Sequence, residues 1–169
     1  MMIINPYVFS GVDNSAGYLI KDTTDSAPHT GTVANTIIAS YLIPANTFSA
    51  GDWFQQFLFT EKVGTNGTSV IRTYVNTSAS LVGATLLTTT NFTALHTSWR
   101  LARWNSVKSA TETLIFVPTG AATIRDAVGN PAYSVSNINW TVDQYFIIAT
   151  QLASILDTQY LRGMYLIKT

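Results

Sequence analysis

The chain has 169 residues, a formal net charge of zero, a sequence pI of about 6.7 and no cysteine. Its lysines and arginines are scattered singly, so no basic stripe is available to neutralise nucleic-acid phosphates or anionic lipid headgroups. The absence of cysteine excludes disulfide scaffolds, cysteine-based zinc sites and thiol nucleophiles. Because the positive charge is scattered, we expect no nucleic-acid partner and no membrane insertion.

The sequence is poor in charged residues for its size. Only 11% of the residues are charged, against a typical ~25%, while 47% are hydrophobic. A chain of this length fits one domain and can bury a sizeable core. Because a surface with so little charge has weak electrostatic protection against association, we expect part of it to be covered in an assembly.

Residues 1–33 differ in pattern from the rest of the chain. A short apolar start, MMIINPYVF, precedes a polar stretch that contains one apolar patch, GYLI. We predict a terminal arm that packs over the domain or over a neighbour, with a first strand at Gly17–Lys21 inside it. The start lacks the features of a signal peptide, and the longest apolar run, Tyr145–Ala149, is far below the ~20 residues of a membrane-spanning helix. We expect a chain that is soluble when made.

Residues 34–169 follow the two-residue alternation of β-strands. The alternating segments are rich in the β-branched and aromatic residues that suit a pleated surface. The predicted strands are Thr36–Ile43, Asp52–Glu61, Ser69–Asn76, Ala84–Thr89, Thr93–Trp104, Glu112–Val117, Asp143–Ala153 and Gln159–Lys168. Strands at this spacing, without a long amphipathic helix, predict an all-β sandwich or barrel.

Polar breaks separate these segments. GTNGT around Asn66 and Gly67 predicts a tight hairpin, and 118–122 and 127–131 are predicted turns or loops. The segment Val142–Leu156 fits a helix by its period, but its β-branched and aromatic content favours a strand followed by a loop.

The stretch IPANTFSAGDWFQQF is interpreted as the corner between two strands. Pro44 cannot donate to a sheet, so it is predicted to end the preceding strand at an edge. Phe48 is predicted to turn inward. Trp53 and Phe57 are predicted to begin a new buried face.

Catalytic motifs are absent from the sequence. His29 and His96 are separated by most of the strand segments, and we interpret both as surface or interface side chains. No nucleophile elbow, Walker loop, HExxH or dinucleotide fingerprint occurs. KDTTD at Lys21–Asp25 could offer oxygens to calcium, but it lacks the ligand alternation and glycine of a dedicated loop. We predict no catalytic residue, metal or cofactor, and no enzyme activity.

Four tryptophans could stack on sugar rings if they were exposed. Trp53 and Trp99 fall on strongly alternating strands, where packing in a core or interface is expected. Trp104 and Trp140 lie close to strand ends beside asparagines, so we predict that these two form any glycan or partner surface.

A series of motifs runs from Val33 to Leu87. It comprises an ANT segment before an apolar strand, then IPANTF-x-x-GD, K-x-GTNGT, R-x-Y-x-NTS and L-x-GATLL, and VDQYFIIATQLA follows at Val142–Ala153. Together these resemble a domain of tailed-bacteriophage virion proteins over most of residues 33–168. The resemblance implies a jelly-roll-like antiparallel β-sandwich at 34–169 with a short N-terminal arm at 1–33, of the type used in tail fibres and head fibres, generally as trimers.

The functional expectation follows from this resemblance. It implies a non-enzymatic virion structural protein, made in the bacterial host cytoplasm, that forms part of a head- or tail-associated fibre or decoration. We expect a homotrimer whose arm docks onto other virion proteins, for example by strand addition. The alternative is a carbohydrate-binding, lectin-like module that contacts host surface glycan through Trp104 and Trp140. A third alternative is a glycan-active enzyme.

Overall fold

The computed structural model describes residues 17–65, 67–93, 97–116 and 133–169. In this part of the chain there are eleven strands and no helix, and so no helical segment that could cross a membrane. The strands are β1 (Tyr18–Asp22), β2 (His29–Thr30), β3 (Thr36–Ile43), β4 (Trp53–Val63), β5 (Ser69–Asn76), β6 (Thr85–Phe92), β7 (Ser98–Ser109), β8 (Glu112–Phe116), β9 (Tyr133–Ser136), β10 (Gln144–Leu152) and β11 (Thr158–Lys168).

These strands form two antiparallel sheets. The larger sheet has the order β1-β11-β4-β7-β8-β9, with β2 also paired to β11, and the smaller sheet has the order β3-β10-β5-β6. Two four-stranded layers, β1-β11-β4-β7 and β3-β10-β5-β6, therefore face each other, and the chain passes repeatedly from one to the other. This is a jelly-roll-like sandwich, as predicted.

The core lies between the sheets and is filled by alternate residues of the central strands. Leu58 of β4, Phe146 and Ile148 of β10 and Met164 of β11 are all fully buried. Burial of each large apolar side chain contributes roughly 1.5–3 kcal/mol relative to exposure. Burial of these alternating hydrophobic residues is therefore the main source of the fold's stability.

Most predicted strands occur close to their predicted bounds. β3 and β5 have the predicted bounds, and the segment that also fitted a helix is β10, which pairs with both β3 and β5. β7 is displaced, because it spans Ser98–Ser109 rather than Thr93–Trp104. β6 spans Thr85–Phe92 rather than Ala84–Thr89, so it ends three residues later than predicted.

The predicted hairpin at GTNGT is wrong. β4 and β5 flank this segment but belong to different sheets. Gly64 has a φ of 121°, and a Cβ atom there would lie 2.6 Å from the carbonyl oxygen of Leu156. The glycine therefore permits a close crossing between sheets rather than a hairpin turn. Asn66 and the predicted turns at 118–122 and 127–131 lie outside the described residues.

Part of the predicted arm belongs to the larger sheet. The first strand, predicted at Gly17–Lys21, is β1, and Ile20 on it is buried in the core. His29 on β2 pairs with Gln159 of β11 and is only 6% exposed, which corrects its interpretation as a surface or interface residue. Residues 1–16 and His96 lie outside the described residues, so the docking of the arm stays a prediction.

The corner between β3 and β4 agrees with one prediction and contradicts another. Phe48 turns inward as predicted and is 2% exposed. The buried face of β4, however, begins at Phe54, while Trp53 is exposed and Phe57 is half-buried. Phe54 faces inward because its ring packs against Phe48 and Trp140. The prediction of a buried face beginning at Trp53 and Phe57 is therefore wrong.

Candidate functional site

The outer face of the larger sheet carries two exposed tryptophans on adjacent strands. Trp53 of β4 is 42% exposed, and Trp104 of β7 is 40% exposed. Trp53 lies opposite Ser106, and Gln55 lies opposite Trp104. The two tryptophans are therefore diagonal neighbours on one face, a relation in which residues are about 7–8 Å apart. We call Trp53, Gln55 and Trp104 the tryptophan pair site.

Two indoles beside an amide suit the stacking and hydrogen bonding of a ring that has an apolar face and a polar edge. The sequence reasoning identified Trp104 but missed Trp53. Alternation showed that Trp53 and Phe54 occupy opposite faces of β4, but not which of those faces the second sheet covers. The nature of any ligand at Trp104 stays a prediction.

Trp140 is a core residue, which corrects its predicted place on a surface. It is 2% exposed, and its ring centroid lies 4.7 Å from that of Phe48 and 5.8 Å from that of Phe54. Its indole Nε1 donates a hydrogen bond of 2.8 Å to Thr113 Oγ1, which satisfies the polar atom of an otherwise apolar side chain. Trp99, as expected from its strand, packs against the core beside Phe92.

An aromatic row continues across the centre of the same outer face. The ring of Phe59 on β4 meets that of Tyr165 on β11 edge-on at 5.8 Å, and Tyr165 meets Tyr18 on β1 at 5.7 Å. Phe57 lies opposite Tyr165 in the register of β4 and β11. This row joins the tryptophan pair site to the other end of the sheet face.

A shallow open depression of about 380 Å³ lies at that other end. Among its lining residues are Phe59 and Glu61 of β4, Ser98 and Arg100 of β7, and Arg162 of β11. We call these five residues the arginine depression. Phe59 lies opposite Arg100, and Glu61 lies opposite Ser98, so the four side chains share the outer face.

Arg162 is held by two carboxylates. It lies where the register of β11 against β4 shifts, and a bulge of this kind redirects a side chain. Its guanidinium pairs with Glu61 at 2.6 Å and also with Asp25. Hydrogen bonding to Glu61, together with the charge of Asp25, holds the pKa of Arg162 above its usual value.

Arg100 differs from Arg162 in its partners. Its guanidinium carbon lies 5.6 Å from the ring centroid of Phe59. Within the part of the chain that the structure describes, it forms no ion pair with an acidic residue. Because an arginine fork binds carboxylate in a bidentate manner, Arg100 presents at the depression an anion-binding group that no carboxylate of the described residues occupies.

The acidic residues considered for calcium have partners within the protein. The carboxylate of Asp22 accepts hydrogen bonds from Thr24 and from the hydroxyl of Tyr41, and Asp25 pairs with Arg162. Among the residues that the structure describes, no group of three or more histidine, aspartate or glutamate side chains could hold a metal ion.

Comparison with protein-family models finds no match, and comparison with curated proteins finds none. Among solved structures, the chain is similar to a "putative sugar binding protein" from Bacteroides thetaiotaomicron. The two share 12% sequence identity with a TM-score of 0.43, over 83% of this chain and 72% of that chain. A likeness at this level carries no argument about function. The fold and the surface define the class of this protein as a jelly-roll-like sandwich with an aromatic outer face.

Proposed function

We propose that the chain is a non-enzymatic structural subunit of a tailed-phage virion, part of a head- or tail-associated fibre or decoration. Three copies assemble through the outer face of the smaller sheet, and the N-terminal segment contacts other virion proteins. The subunit is made in the host cytoplasm and resides in the particle.

The distribution of charge is the observation that carries this proposal. Arg72 is the only charged residue on the four strands of the smaller sheet, all of which the structure describes. Its guanidinium donates hydrogen bonds to Asn35 Oδ1 at 3.2 Å and to Gln151 Oε1 at 3.0 Å. A sheet with one charge, already held by neutral partners, is suited to burial against copies of itself.

Apolar and aromatic side chains occupy one end of the outer face of this sheet. Tyr145 of β10 lies opposite Leu42 of β3, and Tyr74 of β5 lies opposite Leu86 of β6. Leu86 is 43% exposed, which leaves apolar surface for a neighbouring copy to cover.

Light scattering on the purified chain tests the assembly. We expect the mass of a trimer at micromolar concentration, and a shift towards monomer in Leu86→Lys because a charge enters the proposed interface. Leu156→Lys is the matched control, since Leu156 is 71% exposed in the loop between β10 and β11. A monomer mass for the unaltered chain contradicts the trimer. Absence of antibody labelling on virions by electron microscopy contradicts the location in the particle.

The tryptophan pair site supports a second candidate function, carbohydrate binding at the host surface. Trp53→Ala and Trp104→Ala should each abolish binding on a glycan array. Val63→Ala should preserve it, because Val63 is 44% exposed at the far end of the same strand as Trp53. Equal binding by all three variants contradicts a role for the tryptophans.

A further inference from the structure

We infer that the arginine depression binds the carboxylate of an acidic sugar, and that Arg100 is the group that recognises it. This inference rests on the glycan-binding candidate and not on virion assembly. It names a chemical class of ligand that the tryptophan pair site alone does not select, because indoles stack equally well on neutral sugars.

Arg100 supplies the charged group that recognition of an acidic sugar requires, and Phe59 positions it. Arg100 is exposed, forms no ion pair with an acidic residue in the described part of the chain, and presents a planar fork that pairs with a carboxylate through two hydrogen bonds. Phe59, half-buried directly opposite on β4, lies beneath this guanidinium at 5.6 Å and holds it at the depression through a cation–π contact.

Glu61 and Ser98 supply the remaining polar groups of the depression. Glu61 lies opposite Ser98, and its carboxylate is turned towards Arg162, with contacts of 2.6 and 2.7 Å. Arg162 shares its one positive charge between Glu61 and Asp25, so it offsets only part of the negative charge near Arg100. The hydroxyl of Ser98 and the second oxygen of Glu61 can still bond to sugar hydroxyls.

The distance between the tryptophan pair site and the arginine depression indicates how long a ligand must be to reach both. Phe59 lies four residues from Gln55 along β4, about 13 Å in an extended strand. Phe57 and Tyr165 lie between them on the same face. An oligosaccharide of several units could therefore stack on the tryptophan pair site and place a carboxylate at Arg100.

The test is an array of uronic-acid and sialic-acid oligosaccharides, each beside its methyl-esterified, uncharged counterpart. We expect binding to the carboxylates only, weaker at higher salt. Arg100→Gln should reduce affinity about 10- to 100-fold, because hydrogen bonds to a charged group are lost. Arg100→Lys should retain part of the affinity, since it keeps the charge but loses the fork. Thermal unfolding of each variant shows that it remains folded.

Lys108→Gln is the matched control, because it removes one positive charge from the exposed face near the opposite end of β7. It should leave affinity unchanged. Equal binding of esterified and free glycans, or unchanged binding in Arg100→Gln, overturns the inference but leaves carbohydrate binding in place. Absence of binding to every glycan overturns both.

Discussion

The ammonium of Lys62 lies 3.8 Å from a carboxylate oxygen of Asp157, and both side chains are almost completely buried, at 2% and 0% exposure. The other carboxylate oxygen accepts hydrogen bonds from the backbone nitrogen and the hydroxyl of Thr65, and Lys62 donates to the carbonyl of Thr65 at 2.8 Å. A buried charge pair therefore connects the crossing after β4 to the turn that precedes β11.

Asp157→Ala should lower the free energy of unfolding by about 3–5 kcal/mol, because Lys62 would keep a buried charge without its partner. Urea denaturation measures this change. Asp25→Ala is the comparison, since it breaks only the exposed ion pair with Arg162 and should leave the urea midpoint almost unchanged. Similar losses in both variants would contradict the structural importance of the buried pair.

Gly64→Ala should also destabilise the protein, by more than the roughly 1 kcal/mol that left-handed backbone strain alone costs. The added Cβ would contact the carbonyl of Leu156 and the carboxylate of Asp157. Gly51→Ala is the control, because Gly51 also has a positive φ, of 93°, but a Cβ atom there would meet nothing within 4 Å. Denaturation midpoints should fall further for Gly64→Ala; equal shifts would show that strain alone matters.

Stability should decrease in mild acid because of His29. Burial lowers the pKa of His29 below its ordinary value of 6.5, so the unfolded chain binds a proton that the folded chain resists. The stability is therefore present above about pH 6.5 and is lost as the pH falls through the lower pKa of the folded state. Urea midpoints at pH 7.5 and 5 should differ less in His29→Gln. An identical pH dependence in the variant would exclude His29 as the cause.

The two tryptophans predicted together should behave differently on replacement. Trp140→Ala should cost about 3–5 kcal/mol of stability, as expected for a buried aromatic ring. Trp104→Ala, on an exposed face, should change stability by at most about 1 kcal/mol. Thermal and urea unfolding of both variants distinguish a core residue from a surface residue. A large loss for Trp104→Ala would contradict its exposed position.

Deletion of residues 1–30 should destabilise the sandwich, because it removes Ile20 from the core and uncovers the edge of β11. Deletion of residues 1–16 retains every described strand and should leave the β-sheet circular-dichroism signal intact. Equal unfolding midpoints for the two truncations would show that β1 and β2 contribute little.

Local alternation predicted the strands well, because the two-residue period of a strand depends only on neighbouring residues. β3 and β5 have the predicted bounds, and the aromatic and β-branched content of β10 correctly favoured a strand over a helix. The wrong hairpin between β4 and β5 has the opposite cause. Turn chemistry at Gly64 shows that the backbone must bend, but strand pairing is decided by residues far away in the chain, such as those of β11 and β10.

The candidate site was harder to predict from the sequence than the strands, because it depends more on the tertiary structure. Alternation separated Trp53 from Phe54, but only the packing of Phe54 against Phe48 and Trp140 decided which of the two faces outward. The same packing buries Trp140. Trp104 lies beside Trp53 because of the register of β4 with β7. Arg100 and Phe59 are 41 positions apart in sequence and meet only through the register of β4 with β7.

By itself, the sequence determined the all-β class, the strand segments and the low overall charge, because composition and alternation are local properties. The tertiary structure alone decided which face of each strand is covered, which tryptophans are exposed and which arginine of the depression pairs with carboxylates. These features depend on sheet order and register, which arise from contacts between residues distant in the chain.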